Sequence, residues 1–221
     1  MRAVVTGANR GIGYALTRNL LERGYEVHVG VRNPDAESLK KLEGDLHVHR
    51  LDVSDPGSIR SFADELSGVD IDLLINNAGV LFRDGLGNLE YEKFIYTLKV
   101  NTVGPLFLVD ALLGNIKRGG KIINIDSVMG SIALHSGTHS YSYSVSKAAL
   151  NMVTKILAVD LKGKGRTVVS VHPGWVRTDM GGSNAPMEPE KSAEAILNLA
   201  EKLTISDTGK FFEYTGRELP W

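Results

Sequence analysis

Two hydrophobic periods alternate along the chain. Short β-branched runs are each followed by a longer stretch whose apolar residues recur at helical spacing. Arg2-Ala3-Val4-Val5-Thr6 has no polar alternation and reads as a strand buried on both faces. Tyr14 to Arg23 carries Ala15, Leu16 and Leu20 at helical spacing and stops at Gly24. Tyr25 to Val31 reads as a second strand, so the chain opens with a strand, a glycine turn, a helix and a strand. That is the βαβ unit of a parallel sheet.

The alternation continues to the C-terminus. Helices are expected over 35–42, from Ser54 or Asp55 to about Leu66 with Pro56 in the first turn, from about Glu90 to Leu113, from about Tyr141 to Leu161, and from about Glu190 to Leu203. Strands are expected over 46–51, 71–75, 121–125, 167–171 and 210–214. No linker-like or low-complexity segment interrupts them. The pattern predicts one doubly wound α/β domain spanning residues 1–221, with about seven parallel strands and helices on both faces. Ligands of such folds bind at the carboxyl ends of the strands. Gly7 to Gly13, Asp52, Asn76 to Gly79, Ser127 and Pro173-Gly174 all fall there.

Composition removes several function classes. A chain of 221 residues, 43% hydrophobic and 23% charged, suits a globular domain with a sizeable core. A formal net charge of −1 without a long basic run argues against nucleic acid or an anionic membrane as partner. With no Cys there is no disulfide, thiol nucleophile or thiolate metal site. None of the six His shows a metal-ligand spacing backed by carboxylates, and His47 and His49 read as ordinary strand residues, so no metal is expected. His135, His139 and His172 are assigned no chemistry. No stretch is apolar enough to span a membrane, and Met1-Arg2 leads straight into a strand rather than a signal peptide. The expected location is cytoplasmic.

The first candidate chemistry is Tyr143-Ser144-Val145-Ser146-Lys147. Residues four apart share one helix face, so Tyr143 and Lys147 lie one turn apart. A Lys beside a Tyr favours phenolate, and the Tyr143 pKa is expected to fall below its free value of about 10. Such a Tyr can exchange a proton with a substrate oxygen near neutral pH. Tyr141 has Val145 in the corresponding place and is no competitor. The second is the glycine turn Gly7-Ala8-Asn9-Arg10-Gly11-Ile12-Gly13. It follows a strand and opens a helix, where glycines admit a pyrophosphate to free N–H groups at the helix N-terminus.

Thr6-Gly7-x-x-x-Gly11-Ile12-Gly13, Asn76-Asn77-Ala78-Gly79, Asn101, Ser127, Tyr143-x-x-x-Lys147 and Pro173-Gly174-x-x-x-Thr178 resemble, in order, the motif set of the short-chain dehydrogenases/reductases. The match spans nearly the whole chain. His172 to Gly182 and the ending Leu219-Pro220-Trp221 resemble the C-factor and sniffer-like carbonyl reductases within that family. The resemblance implies a Rossmann-type domain and hydride transfer between NADP(H) and a carbonyl or secondary alcohol. Tyr143 would be the general acid, and Lys147 would lower its pKa and hold the nicotinamide ribose. Ser127 would orient the substrate oxygen. Asn101 would break its helix and hold a water linking Lys147 to solvent. The implied cofactor set comprises Gly7, Asn9, Arg10, Gly11, Ile12 and Gly13 at the turn, with Tyr143 and Lys147. Asp52 and Val53 would meet the adenine, and Asn76, Ala78 and Gly79 the adenosine half. Pro173, Gly174, Val176 and Thr178 would approach the nicotinamide. Asn77 would tie neighbouring strands.

NADP is expected over NAD. The second strand ends at Val31-Arg32, without the acidic residue that binds an NAD ribose, and Arg10 approaches the same place. Two guanidinium groups suit a 2′-phosphate. Trp175 and Met180 are candidates for the substrate wall. The interval from Ser127 to Tyr143 is longer than the family norm through His135-Ser136-Gly137-Thr138-His139, and the segment after Thr178 is short, which predicts an open site. A homodimer or homotetramer is expected from helices apolar on several sides: Phe94, Leu98, Leu106, Phe107 and Leu112 on one, and Ala148, Leu150, Met152, Ile156 and Val159 on the other. The C-factor resemblance keeps open a regulatory nucleotide-binding protein with little turnover, and the scaffold also admits epimerisation or dehydration.

Overall fold

The structure, a computed structural model, describes residues 1–137 and 140–221. Eight strands form one sheet in the order β3-β2-β1-β4-β5-β6-β7-β8. They are β1 (Arg2–Thr6), β2 (Glu26–Val31), β3 (Leu46–Arg50), β4 (Ile71–Asn76), β5 (Ile116–Ile125), β6 (Thr167–His172), β7 (Phe211–Glu213) and β8 (Glu218–Leu219). All pairings are parallel except β7 with β8. The expected seven parallel strands are present, and the eighth is an addition. Gly216 takes a left-handed φ of 90°, and Glu213 N donates to Arg217 O. That tight reversal lays the tail back against β7.

The helices are α1 (Gly11–Glu22), α2 (Pro56–Glu65), α3 (Tyr91–Leu98), α4 (Gly104–Ala111), α5 (Tyr141–Lys162) and α6 (Pro189–Lys202). Side chains alternate across each strand, and both faces of the sheet are covered. Ala3 and Val5 join Leu16 and Leu20 of α1 and Ile196 and Leu197 of α6 in one apolar cluster. Val4 joins Phe62 of α2, Leu108 of α4 and Leu161 of α5 in the other. This two-sided burial explains why the central strands read as unbroken apolar runs.

Three sequence expectations need correction. The helix expected over 35–42 is a single 3-10 turn, Leu39–Lys41, with only Leu39 buried; the stretch lacks a second buried turn of apolar residues. The long helix from Glu90 to Leu113 is interrupted: α3 and α4 are joined by a π-helical segment, Lys99–Val103. Strand β5 starts at Ile116 rather than Lys121, with a register shift opposite Ile71 and Leu73. Thr138 and His139, within the long interval before Tyr143, lie outside the described residues. Among those described, no helix is long and apolar enough to cross a membrane.

Candidate active site

The chain runs outward from β1 to β2 and β3, then returns past β1 to β4, β5, β6 and β7. The strand order therefore reverses at the β1–β4 boundary, which opens a crevice at their carboxyl ends. Gly7 and Gly11 turn the chain from β1 into α1 with φ of 70° and 56°. A Cβ on Gly13 would overlap the Gly7 carbonyl and the Asn77 amide, so α1 approaches the strand end through that glycine. Arg10 at the N-cap is extended and makes no side-chain cap, which leaves first-turn amides for an anion. Asn77 fixes the crevice from the β4 side. Its Nδ2 donates to Thr6 O at 2.9 Å and Gly7 O at 3.3 Å, and Thr6 Oγ1 accepts from the Asn77 and Ala78 amides.

The π-helical interruption carries Asn101 inward, where it is fully buried. Its Oδ1 accepts from Val80 N at 2.8 Å, and its Nδ2 donates to Val80 O at 2.9 Å and Ser146 Oγ at 3.0 Å. Ser146 Oγ in turn donates to Tyr143 O. Asn101 thus ties the segment after β4 to the turn of α5 that carries Tyr143 and Lys147. Both of those side chains are buried, and Lys147 Nζ lies 5.7 Å from the Tyr143 ring centroid.

The expected fall in the Tyr143 pKa is not found among these protein groups. Burial pushes the phenol well above its ordinary value, the Asp126 charge adds to the rise, and the Ser127 hydroxyl opposes it. Lys147 does not offset the burial. It is itself fully buried, which lowers its pKa, and its ammonium is held by Ile125 O at 2.6 Å. The neighbour on which Lys147 acts is Asp126.

Asp126 is the site residue that sequence reasoning passed over. It is 1% exposed, and burial pushes its pKa up to about 7 against the pull of Lys147 and the Ser127 amide. Its Oδ1 accepts from Ser127 N at 2.7 Å. Behind it a buried polar chain runs through Ser170, Thr154, Asn124 and Asn76. The available signal was an acid closing the strand stretch Ile122–Ile125, immediately before Ser127.

These elements enclose a cleft of about 680 Å³. Of the residues singled out in the sequence, Gly7, Asn9, Arg10, Gly11, Ile12, Gly13, Arg32, Asp52, Val53, Ala78, Gly79, Tyr143, Lys147, Pro173 and Thr178 line it. Five of the expected catalytic and cofactor residues lie off its wall. Asn76 donates to Asn124 Oδ1 inside the sheet, and Asn101 sits behind Val80. Ser127 accepts from Met129 N at 3.2 Å, adjacent to Tyr143. A Cβ on Gly174 would meet Tyr214 and Met187, and Val176 is buried and bridged to Met187. Asp52 Oδ1 already accepts from the Ser54 amide and hydroxyl. Arg10 Nη1 reaches Asp179 Oδ2 at 2.7 Å, and Arg32 Nη1 reaches Tyr96 Oη at 3.5 Å. Met180 lines the cleft, whereas Trp175 is exposed and its indole N–H donates to Gly181 O.

The glycine-lined turn, the open amides of α1 and the two cleft arginines fit a phosphate-bearing dinucleotide. The donors along α5 fit a carbonyl oxygen. The family model described as short chain dehydrogenase matches residues 1–189. C-signal of Myxococcus xanthus is 37% identical over 166 residues, which is 74% of this chain and 100% of that protein. The 1-hydroxy-2-glutathionyl-2-methyl-3-butene dehydrogenase of Rhodococcus sp. (strain AD45) is 31% identical over 224 residues, 99% of this chain and 98% of that one. Among solved structures, NADPH-bound carbonyl reductase from chicken fatty liver matches with a TM-score of 0.92 at 33% identity, covering 100% of this chain and 98% of that one. Carbonyl reductase Sniffer of D. melanogaster matches with a TM-score of 0.94 at 31% identity, covering 100% and 99%.

Proposed function

The chain belongs to the short-chain dehydrogenase family, in its carbonyl reductase and Sniffer-like branch, and from that premise we propose that it reduces a carbonyl compound with NADPH. The observation that carries this reading is the convergence of Tyr143, Lys147 and Ser127 at the carboxyl ends of the strands, beside the Gly7–Gly13 turn. Bound NADPH would supply hydride to the carbonyl carbon. The protein's part is to hold the carbonyl oxygen and to deliver a proton to it.

The Ser127 and Tyr143 hydroxyls are the donors for that oxygen. Burial keeps Tyr143 protonated and so in the form that can act as acid. As its proton leaves, the Lys147 ammonium offsets the charge that develops on the phenolate. Asn101 is a positioning residue, since its carboxamide binds Val80 and Ser146. Gly7, Asn9, Gly11, Ile12 and Gly13 would hold the pyrophosphate, Asp52 and Val53 would border the adenine, and Ala78 and Gly79 the ribose. Pro173 and Thr178 would stand on the nicotinamide side. Arg10 and Arg32 would clamp the 2′-phosphate, which supports NADP over NAD. NADPH in the chicken carbonyl reductase supports the same choice. The exposed α4–α5 face supports a homodimer.

The test is NADPH oxidation across a panel of ketones, aldehydes and quinones, with wild type and Tyr143→Phe. Wild type should turn over at least one carbonyl class. Tyr143→Phe should keep its fold and NADPH binding and lose about 10² or more in kcat. Near-normal turnover in the variant would remove Tyr143 from the chemistry. NADPH binding without turnover anywhere in the panel would favour a regulatory role, a reading kept open by the C-signal match.

A further inference from the structure

Away from the cleft, the outer edge of the sheet carries a cluster that spacing alone concealed. Glu26 and His28 are two apart on β2, and His47 and His49 two apart on β3, so each pair shares a face. The parallel register sets His28 opposite His47 and Gly30 opposite His49. All four side chains are thereby brought together. The His28 ring stacks on His47 at 4.6 Å between centroids and on His49 at 5.3 Å.

Hydrogen bonds link the histidines and two carboxylates in one network. His49 Nδ1 is 2.6 Å from Glu65 Oε2. A carboxylate only accepts, so Nδ1 carries the proton of that contact. His49 Nε2 lies 3.1 Å from His28 Nδ1, one nitrogen donating and the other accepting. His28 Nε2 faces Glu26 Oε1 at 3.2 Å. The His28 residue is only 5% exposed. When Nε2 gives up its proton, a nitrogen lone pair and a carboxylate stand side by side, the donor pair that a divalent cation takes. Arg2 Nε is engaged with the other oxygen, Glu26 Oε2, at 2.6 Å.

We propose that Glu26, His28 and His47 bind a divalent transition metal of the zinc type, which clamps edge strand β3 to β2. One ligand atom from each residue lies within 4.8 Å of the others. Bonds of about 2.0–2.2 Å in a tetrahedron hold ligand atoms roughly 3.3–3.6 Å apart, so side-chain rotation closes the set. Asp45 Oδ1, 3.0 Å from His47 Nε2, lies outside this group of three, and water would supply the fourth ligand. Two imidazoles favour zinc, nickel or copper over the oxygen-seeking magnesium and calcium. The run from Glu65 through His49 to His28 is the outer support that such sites use to fix a ligand's tautomer. Arg2, Glu26 and Asp45 also line a cleft of about 650 Å³, which provides an entry path.

The test is calorimetric titration of chelator-treated, tag-free protein with ZnCl2 and, separately, MgCl2. Wild type should take up one Zn2+ per chain, with a rise in Tm, and should not take up Mg2+. Co2+ should give the visible absorption of a tetrahedral N/O site. Glu65→Gln should weaken Zn2+ binding by roughly 10–100-fold, and His47→Ala and Glu26→Gln by more. His47 is about half exposed and Glu26 partly exposed, so circular dichroism should report folded variants in at least one case. Absence of stoichiometric Zn2+ uptake overturns the proposal, the cluster then holding only a proton. Undiminished uptake in both ligand variants also overturns it.

Discussion

Asp126 lies beside Lys147, and its negative charge raises the pKa of both Lys147 and Tyr143. Replacing it with Asn removes that charge while keeping the side chain's size. Both neighbours should then deprotonate at lower pH. In the proposed mechanism reduction needs Tyr143 protonated, so the basic limb of the kcat/KM profile should move to lower pH in Asp126→Asn; an unmoved limb would show that Asp126 only fills space. The cleft arginines make a second prediction at this scale. Arg10 is paired with Asp179, but both side chains are mostly exposed, and such a pair is weak enough to yield to a phosphate. A hydrogen bond to a charged group contributes about 1.5–3 kcal/mol. Arg10→Ala or Arg32→Ala should therefore weaken NADPH binding by roughly ten- to a hundredfold and leave NADH almost unchanged. Comparing kcat/KM for the two cofactors decides it, and a wild-type preference for NADH would remove the clamp. Side chains whose chemistry is intrinsic, such as Tyr143 and Lys147, were legible in the sequence. Their protonation was not, because it depends on a burial that spacing does not encode.

Elements were legible where periodicity and punctuation agreed. Helix α2 starts where Asp55 and Pro56 place it, and Asp55 caps Gly57 N. Strands β1, β4 and β6 follow unbroken β-branched runs. Legibility failed where a departure leaves no mark on apolar spacing. The π-helical segment at Lys99–Val103 inserts within a continuous apolar pattern, and only the polar Asn101 hinted at it. The two-residue β8 depends on a turn at Gly216 that folds it back onto β7, and two residues are too few to show a strand period. The β1–α1 junction is the element most exposed to a test. A Cβ at Gly13 meets backbone at Gly7 and the bonded amide of Asn77, so neither neighbour can simply rotate away. Gly13→Ala should destabilise the fold by about 1–3 kcal/mol through overpacking. It should also displace the α1 N-terminus and abolish NADPH binding, as read by thermal melting and cofactor fluorescence. Unchanged binding would mean that the turn does not carry the pyrophosphate.

For the molecule as a whole, pH and association are the measurable consequences. Burial lowers the His172 pKa from 6.5 to about 4, and its Nδ1 has no partner among the described residues. The unfolded chain thus binds more protons between those values, and His172 makes the fold lose stability as pH falls through that window. The loss is at most about 3 kcal/mol. Asp126, raised from 3.8 to about 7, gives a slope of opposite sign. The difference between wild type and His172→Gln in denaturant titrations from pH 7 to 4 isolates the histidine term, and parallel curves would refute it. Association turns on α5. Leu150 of α5 and Leu112, just beyond α4, face the protein's own core, so two of the apolar residues expected at an interface are already used. What remains is a second face. Val145, Met152, Ile156 and Val159 of α5 are 45%, 60%, 53% and 71% exposed, beside Val103 and Phe107 at 42% and 48%. Their spacing along α5 follows the seven-, four- and three-residue steps of a packing seam, on the side of the helix away from Leu150 and Leu161. A self-complementary seam of this kind suits a two-fold contact, in which each residue is buried twice. Light scattering at micromolar concentration should return twice the 24.0 kDa chain mass for wild type. Ile156→Glu would bury two like charges at that contact and should return the single-chain mass with the fold intact. A wild type that already scatters as one chain would overturn the prediction.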